Sequence, residues 1–316
     1  MYHERYAGSS GYRGRFAPSP TGALHLGSAR TALIAWLRAR ASEGSFVIRT
    51  EDLDAPRVVP GADEAIRRDL RWLGLDWDEG PDVGGPCAPY AQSARLGDYA
   101  AALAALRTGG HVYPCTCTRK EIAAIASAPH GLDEEGPRYP GTCRDGPRHP
   151  ERPASWRFRM PEPSPGFTDA LAGTFAAGAL GEGDFVVARG DGAFSYQLAV
   201  VVDDLAMRIS EVVRGDDLLS SVPRQLALAR ALGGTAPAWL HVPLVLATDG
   251  QRLGKRHGSA SVASLRERGE SAASVVGKLG VTLGLAEPGE QLMPAALIAR
   301  FDLAKLPRAP TRLADD

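Results

Sequence analysis

Several protein classes are excluded by what this chain has little of. Cysteine is scarce: four residues in 316 are too few for a disulfide scaffold. No apolar run approaches the roughly 18–20 residues that span a bilayer, and the opening 15 residues have no apolar centre of the kind a secretion signal carries. Neither membrane insertion nor export is therefore expected, and the cytoplasm is the expected compartment. Charge of either sign is not in excess. With 36 basic residues against 37 acidic ones and a formal net charge of -1, a nucleic-acid partner has to meet a local basic patch. No internal repeat is visible. What remains is a globular composition, 44% apolar and 23% charged, that can bury a large core and divide into two or three subdomains.

Residues 1–12 are polar and aperiodic and read as a loose arm. Structure is expected to begin near Gly14, with a short strand at Arg15, Phe16 and Ala17 broken by Pro18 and Pro20. Leu33, Ile34, Leu37 and Ala41 then mark a helix over 26–41. Residues 45–49 read as a buried strand, and Ile66, Leu70 and Leu73 as the apolar stripe of the next helix. This βαβα order predicts a parallel sheet. A further helix fits 95–107. From Cys115 to Phe167 the chain turns rich in Pro, Gly and Arg without apolar period, as an insertion would. Strands are expected again at 184–189, 195–203 and 208–214, the first two joined by a tight turn at Gly190, Asp191 and Gly192. Ser221 with Pro223 opens a helix, and 241–246 reads as a strand. Past Gly258 there is room only for short helices, near 261–268, 272–283 and 294–301. The expected division is a Rossmann-type α/β core over 13–110 and 184–240, an insertion over 111–183, and a mainly helical region over 241–316.

The strongest chemical signal is the run Arg15-Phe16-Ala17-Pro18-Ser19-Pro20-Thr21-Gly22-Ala23-Leu24-His25-Leu26-Gly27, which leads from a strand through a Pro/Gly loop into a helix. Such a loop presents backbone N–H groups and a helix N-terminus to an anion. His25 can donate to phosphate oxygens there, and Gly27 lets a nucleotide approach the backbone. Glu51 follows a predicted parallel strand, where open α/β sheets bind ligands, and its carboxylate suits an ammonium group. Arg214 closes a later strand and can take a carboxylate in a bidentate fork, with Arg15 as a second candidate. Tyr196 offers a hydroxyl on an alternating strand. A second basic loop, Asp249-Gly250-Gln251-Arg252-Leu253-Gly254-Lys255-Arg256-His257-Gly258, has the form of a hairpin tip with clustered cations.

The thirteen-residue run resembles the ATP-binding "HIGH" segment of class I glutamyl-tRNA synthetases. Three further stretches match that family in order: Arg49-Thr50-Glu51-Asp52-Leu53-Asp54, Ser195-Tyr196-Gln197-Leu198-Ala199-Val200-Val201-Val202-Asp203-Asp204, and Val213-Arg214-Gly215-Asp216-Asp217. The loop at Arg252-Leu253-Gly254-Lys255-Arg256 resembles the family's "KMSKS" loop. It departs from it in having Arg252 for the first lysine and Gly254 for the serine, which keeps charge while changing the backbone. The resemblance implies the Rossmann-type catalytic core of class I aminoacyl-tRNA synthetases and an ATP-dependent, ligase-type activity. It assigns His25 and Lys255 to catalysis, and His25, Gly27 and Lys255 to ATP with Mg²⁺. Arg15, Phe16, Ala17, Pro18, Ser19, Glu51, Tyr196 and Arg214 fall on the glutamate site.

Cys115-Thr116-Cys117 and Cys143 supply three thiolates, whereas a structural zinc takes four N or S ligands. From the residues alone His130 or His149 supplies the fourth. In the short synthetases that this chain resembles, a Cys-x-Cys pair with Tyr-x3-Cys makes the site, and Tyr139 to Cys143 matches that pattern. The resemblance thus implies one structural Zn²⁺ on Cys115, Cys117, Tyr139 and Cys143. Thr118 and Glu121 read as a capping box after the pair, and Cys87 as a separate free thiol.

Full-length members of the family continue past the Lys255 loop into helical domains that read the anticodon, for which this sequence leaves no space. The resemblance therefore implies a stand-alone, monomeric catalytic domain. Its substrates would be ATP, L-glutamate and a tRNA, with the queuosine base at the wobble position of tRNA(Asp) as acceptor. The alternatives are a minimal synthetase charging a tRNA 3′ end and a non-catalytic tRNA-binding module.

Overall fold

The computed structural model describes residues 11–118, 120–122, 138–246 and 261–312. It opens with β1 (Arg13–Phe16), α1 (Leu26–Ala41), β2 (Ser45–Ile48), α2 (Ala62–Trp72) and α3 (Leu96–Thr108). Five strands follow: β3 (Val112–Cys115), β4 (Ser155–Phe158), β5 (Phe167–Asp169), β6 (Gly173–Phe175) and β7 (Phe185–Ala188). Next come α4 (Tyr196–Ala206), β8 (Glu211–Gly215), α5 (Val222–Ala231), β9 (Ala238–Val242) and β10 (Val245–Leu246). The last described elements are α6 (Val262–Glu267), α7 (Ala272–Thr282), α8 (Pro294–Ile298) and β11 (Thr311–Arg312).

β1 pairs in parallel with β2, and β8 in parallel with β9. The two pairs meet side by side: the Ser210 N–H donates to Arg13 O at 2.9 Å, and Arg15 Nη1 reaches Val213 O at 3.1 Å. From β1 the chain crosses through α1 to β2 on one side, and from β8 through α5 to β9 on the other. Such divergence opens a crevice beyond the carboxyl ends of β1 and β8, the place where open α/β sheets bind ligands. β5 extends this sheet beyond β9, with Asp169 opposite Trp239, and β6 closes it as an antiparallel edge.

A second, antiparallel sheet has the order β3-β4-β7. The strand expected at 184–189 as a return to the core is β7, and it pairs with β4 of this sheet. Conversely β5, inside the stretch read as insertion, joins the parallel sheet. Tyr12, counted with the arm, is docked: its hydroxyl donates to Glu211 Oε2 at 2.8 Å.

One expectation fails outright: 195–203 is not a strand but the start of α4. Ser195 caps it, its side chain accepting from the Leu198 N–H at 3.3 Å. Leu198, Ala199, Val200, Val201 and Val202 are all buried, and a continuously apolar stretch has the same appearance in a buried helix as in a buried strand. Tyr196 accordingly stands on the first helical turn. The strand expected over 241–246 is also split, β9 ending at Val242 and β10 resuming at Val245 around Pro243, which lacks the N–H a continuous strand would need.

α1 is buried on nearly every side, against β1, β2 and β8 and against α7, through Leu33, Leu37, Ile48, Val213, Leu240, Val276 and Leu279. Arg30 secures that packing, donating to Pro243 O at 2.8 Å and to Thr282 Oγ1 at 3.0 Å, with burial lowering its pKa to about 10. A second core joins α3, α4 and α5 to β7 through Tyr99, Leu106, Val187, Leu198 and Leu228. The α1 N-terminus is thereby held at the crevice. Among the described residues no helix is long and apolar enough to cross a membrane.

Candidate active site

His25 is the N-cap of α1. Its Nδ1 accepts the Ser28 N–H at 3.1 Å, so the proton of the neutral ring belongs on Nε2, which lies 2.8 Å from Ser28 Oγ. The first turn of α1 carries no acidic side chain, which keeps the positive end of the helix dipole open to an anion. A cavity of about 260 Å³ lies in front of it, lined by Phe16, His25, Gly27, Ser28, Gly215 and Val245 among others. Gly27 keeps this approach open: a Cβ there would stand 3.2 Å from His25 Nδ1, so the imidazole would have to give by a few tenths of an ångström.

Lys255, Arg252 and Gly254 lie outside the described residues. The described flanks of their loop both abut the His25 segment. Val245 lines the cavity, and on the far side Ser261 bridges His25 while the Val262 N–H donates to Leu24 O at 2.9 Å.

Next to the cavity, at the end of β1, lies a buried charge cluster. Arg49 is fully buried, with Nη1 on Asp204 Oδ1 at 2.6 Å and Nη2 on Glu51 Oε1 at 3.0 Å. Arg15 Nε also reaches Asp204 Oδ1, at 3.4 Å, and Asp203 binds Arg95 Nε at 2.6 Å. Burial pushes the Glu51 carboxyl up, against the pull of Arg49 and Arg15. At Asp204 burial acts the same way, but the two arginines outweigh it and the pKa falls. The Pro18 carbonyl takes the Glu51 N–H at 3.0 Å, so the loop carrying half-buried Ala17 and Pro18 and exposed Ser19 runs beside the carboxylate.

Arg214 stands outside this balance of Arg15, Arg49 and Arg95 against Glu51, Asp203 and Asp204. Its guanidinium donates to Tyr196 Oη (3.3 Å), Gln225 Oε1 (2.9 Å), Leu218 O (3.1 Å) and His241 Nε2 (2.9 Å). Every one of these acceptors is neutral. Burial raises the Tyr196 pKa and lowers those of His241 and Arg214. A buried cation without a carboxylate partner is costly unless a ligand completes it.

The structure thus brings together Arg15, Glu51, Tyr196 and Arg214 in one cluster, and Phe16, His25 and Gly27 around the adjoining cavity. Arg49 and Asp204, which tie Glu51 to Arg15, were not singled out from the sequence although both lie inside family-like stretches. Gln225 and His241 carried no sequence signal.

The cysteines form a separate centre. The Sγ atoms of Cys115, Cys117 and Cys143 lie within 4.8 Å of one another. The Tyr139 hydroxyl is 3.3 Å from Cys115 Sγ and 3.6 Å from Cys117 Sγ. Burial resists ionisation of Cys143, but N–H groups of Arg148 and Thr116 and the Tyr139 hydroxyl bring its thiol down to about 6. Burial raises Cys117 to about 11. His149 faces elsewhere, its ring nitrogens 3.5 Å from Glu121 and 3.6 Å from Glu151. His130 lies outside the described residues. The expected capping box is formed, with Thr118 N–H on Glu121 Oε2 at 2.7 Å and Glu121 N–H on Thr118 Oγ1 at 3.2 Å. Cys87 is half-buried and apart from the cluster.

The catalytic-domain model of the class I tRNA synthetases (E and Q) matches residues 12–295, and the chain belongs to that family. Within it, the chain is 53% identical to a glutamyl-Q tRNA(Asp) synthetase of Symbiobacterium thermophilum, over 95% of each chain. It is 44% identical to a glutamate–tRNA ligase of Anaeromyxobacter, covering 92% of this chain but 61% of the ligase. Among solved structures, the glutamate–tRNA synthetase of Elizabethkingia anophelis superposes with a TM-score of 0.82 at 30% identity, over 96% of this chain and 68% of that one.

Proposed function

We propose that this protein activates L-glutamate with ATP and transfers it to the queuosine base at the wobble position of tRNA(Asp). The observation that carries the first half is Arg214, a buried cation with only neutral acceptors among the described residues, which shares Tyr196 as an electrostatic neighbour with Glu51. The second half rests on the near-complete overlap with the glutamyl-Q relative.

In this reading Glu51 takes the ammonium group, Arg214 with Tyr196 takes the side-chain carboxylate, and Arg15 adds positive charge. An oxygen of the α-carboxylate attacks the α-phosphorus of ATP and pyrophosphate leaves, giving an acyl-adenylate without an enzyme nucleophile. A hydroxyl of the queuosine cyclopentenediol then attacks the acyl carbon, its proton passes to water and AMP leaves. The His25 Nε2–H, the α1 N-terminus and, by family resemblance, Lys255 stabilise charge on the phosphates. Mg²⁺ supplies further charge to them when bound.

The cysteine centre fits a structural zinc. Sulfurs around a tetrahedral Zn²⁺ stand about 3.8 Å apart, close to the 3.5 Å between Cys117 and Cys143. Tyr139, whose hydroxyl lies 3.3 Å from Cys115 Sγ and 3.6 Å from Cys117 Sγ, supports a reading in which it is the fourth ligand, and the ion would tie the end of β3 to the turn at Cys143.

ATP–pyrophosphate exchange, run with tRNA present, tests the activation half. Exchange is expected to saturate with glutamate, and glutamine, whose amide gains nothing from a bare cation, is expected to be about a hundredfold poorer in kcat/KM. Equal use of both amino acids, or no exchange at all, defeats the proposal.

A further inference from the structure

The acceptor on Arg214 Nε is itself held in place. Arg214 and His241 are register partners on the adjacent parallel strands β8 and β9, so their side chains leave the sheet on one face. On the other flank of β9, Asp169 ends β5, and its Oδ2 lies 2.6 Å from His241 Nδ1. Three neighbouring strands therefore carry Asp169, His241 and Arg214 in a row. Both Asp169 and His241 have fully buried side chains.

The chemistry of the row fixes every proton in it. Arg214 Nε can only donate, so His241 Nε2 must be the lone-pair nitrogen. The ring proton then sits on Nδ1 and points at Asp169. Asp169 is held as a carboxylate by further donors: its Oδ1 takes the Leu171 and Ala172 N–H groups at 3.0 and 2.8 Å, which favours the ionised, accepting form. The carboxylate thus selects the imidazole tautomer that aims Arg214, while standing one ring away from the guanidinium. A carboxylate placed directly on Arg214 would neutralise the cation that the ligand needs. Neutral imidazole orients it without doing so. Of the five guanidinium N–H groups, four are taken by described residues, and one on Nη2 is left for a ligand.

We propose that Asp169 and His241 are positioning residues for glutamate recognition, acting through Arg214 by holding its fork in register while leaving its charge unspent. This rests on the reading of Arg214 as the partner of the substrate side-chain carboxylate. It also gives a recognition role to the β5–β6 hairpin, which lies in the stretch the sequence assigns to the insertion.

The test is to measure KM for L-glutamate and for ATP in the exchange assay, with melting midpoints, for Asp169→Asn, His241→Leu, His241→Gln and Arg214→Gln. Asp169→Asn lets the side chain donate to Nδ1, which moves the ring proton to Nε2 and sets it against the Arg214 Nε–H. Both Asp169→Asn and His241→Leu should raise the glutamate KM about tenfold and leave the ATP KM within about twofold, as loss of one oriented charge-assisted hydrogen bond implies. His241→Gln, whose amide oxygen can replace Nε2 as acceptor, should recover most of that loss. An unmoved glutamate KM in His241→Leu overturns the proposal, as does a parallel rise of both KM values. If Asp169→Asn unfolds because the loop amides lose their cap, the two His241 variants decide. An Arg214→Gln variant with an unchanged glutamate KM instead removes the underlying reading of Arg214.

Discussion

Arg214→Gln should lower kcat/KM for glutamate in ATP–pyrophosphate exchange by about two hundred- to five thousandfold, while the ATP KM stays near that of the unaltered protein. The magnitude follows from the roughly 3–5 kcal/mol lost when one member of a buried charge pair is removed. The pair here is completed only by the ligand, so the loss should appear in glutamate use. Glutamine use should fall far less, narrowing the discrimination between the two amino acids. Arg214→Lys should rescue little. The guanidinium makes four directed contacts, to Tyr196, Gln225, Leu218 and His241, and a lysine ammonium has neither the fork nor the reach to repeat them.

Cys143→Ala should abolish stable zinc binding. Elemental analysis after dialysis against a chelator is expected to find about one zinc per chain in the unaltered protein and close to none in the variant. The Cys143 side chain is fully buried, and its Sγ meets Cys117 Sγ at 3.5 Å and the Arg148 N–H at 3.4 Å. Hydrogen exchange should rise across β3, β4 and the turn around Cys143, while β8 and β9 keep their protection. Tyr139→Phe separates the candidates for the fourth ligand: it should weaken zinc retention, whereas His149→Ala should leave it unchanged because that ring faces Glu121 and Glu151. The opposite pattern would move the fourth ligand to His149.

Local chemistry was the most legible part of the sequence. The Pro/Gly run into His25 and Gly27, the apolar residues of α1 and α2, and the Cys115–Cys117 pair each stand out within a few residues; the structure puts His25 at the N-cap of α1 and the sulfurs of Cys115, Cys117 and Cys143 within 4.8 Å of one another. Legibility fails where burial is uniform. The run from Leu198 to Val202 has no polar face to set a period, so helix and strand look alike and the capping serine was the one local clue. It fails again where chemistry depends on strand neighbours. Glu51 was singled out because it follows a strand, but Arg49, two residues before it, is buried and meets Asp204 on α4 only through the fold. His241 and Asp169 acquire their relation to Arg214 from the order β5-β9-β8, which no spacing along the chain encodes. The stretch read as insertion was judged by its Pro and Gly content, which marks the cysteine turn well but says nothing of a hairpin that returns to the main sheet.

The central claim is most directly tested by transfer of labelled glutamate, in one preparation, to queuosine-containing tRNA(Asp), queuosine-free tRNA(Asp) and tRNA(Glu). The account predicts label on the queuosine-containing tRNA(Asp) alone. Label on tRNA(Glu), or equal label on both forms of tRNA(Asp), would contradict it and make the chain a synthetase that charges a 3′ end.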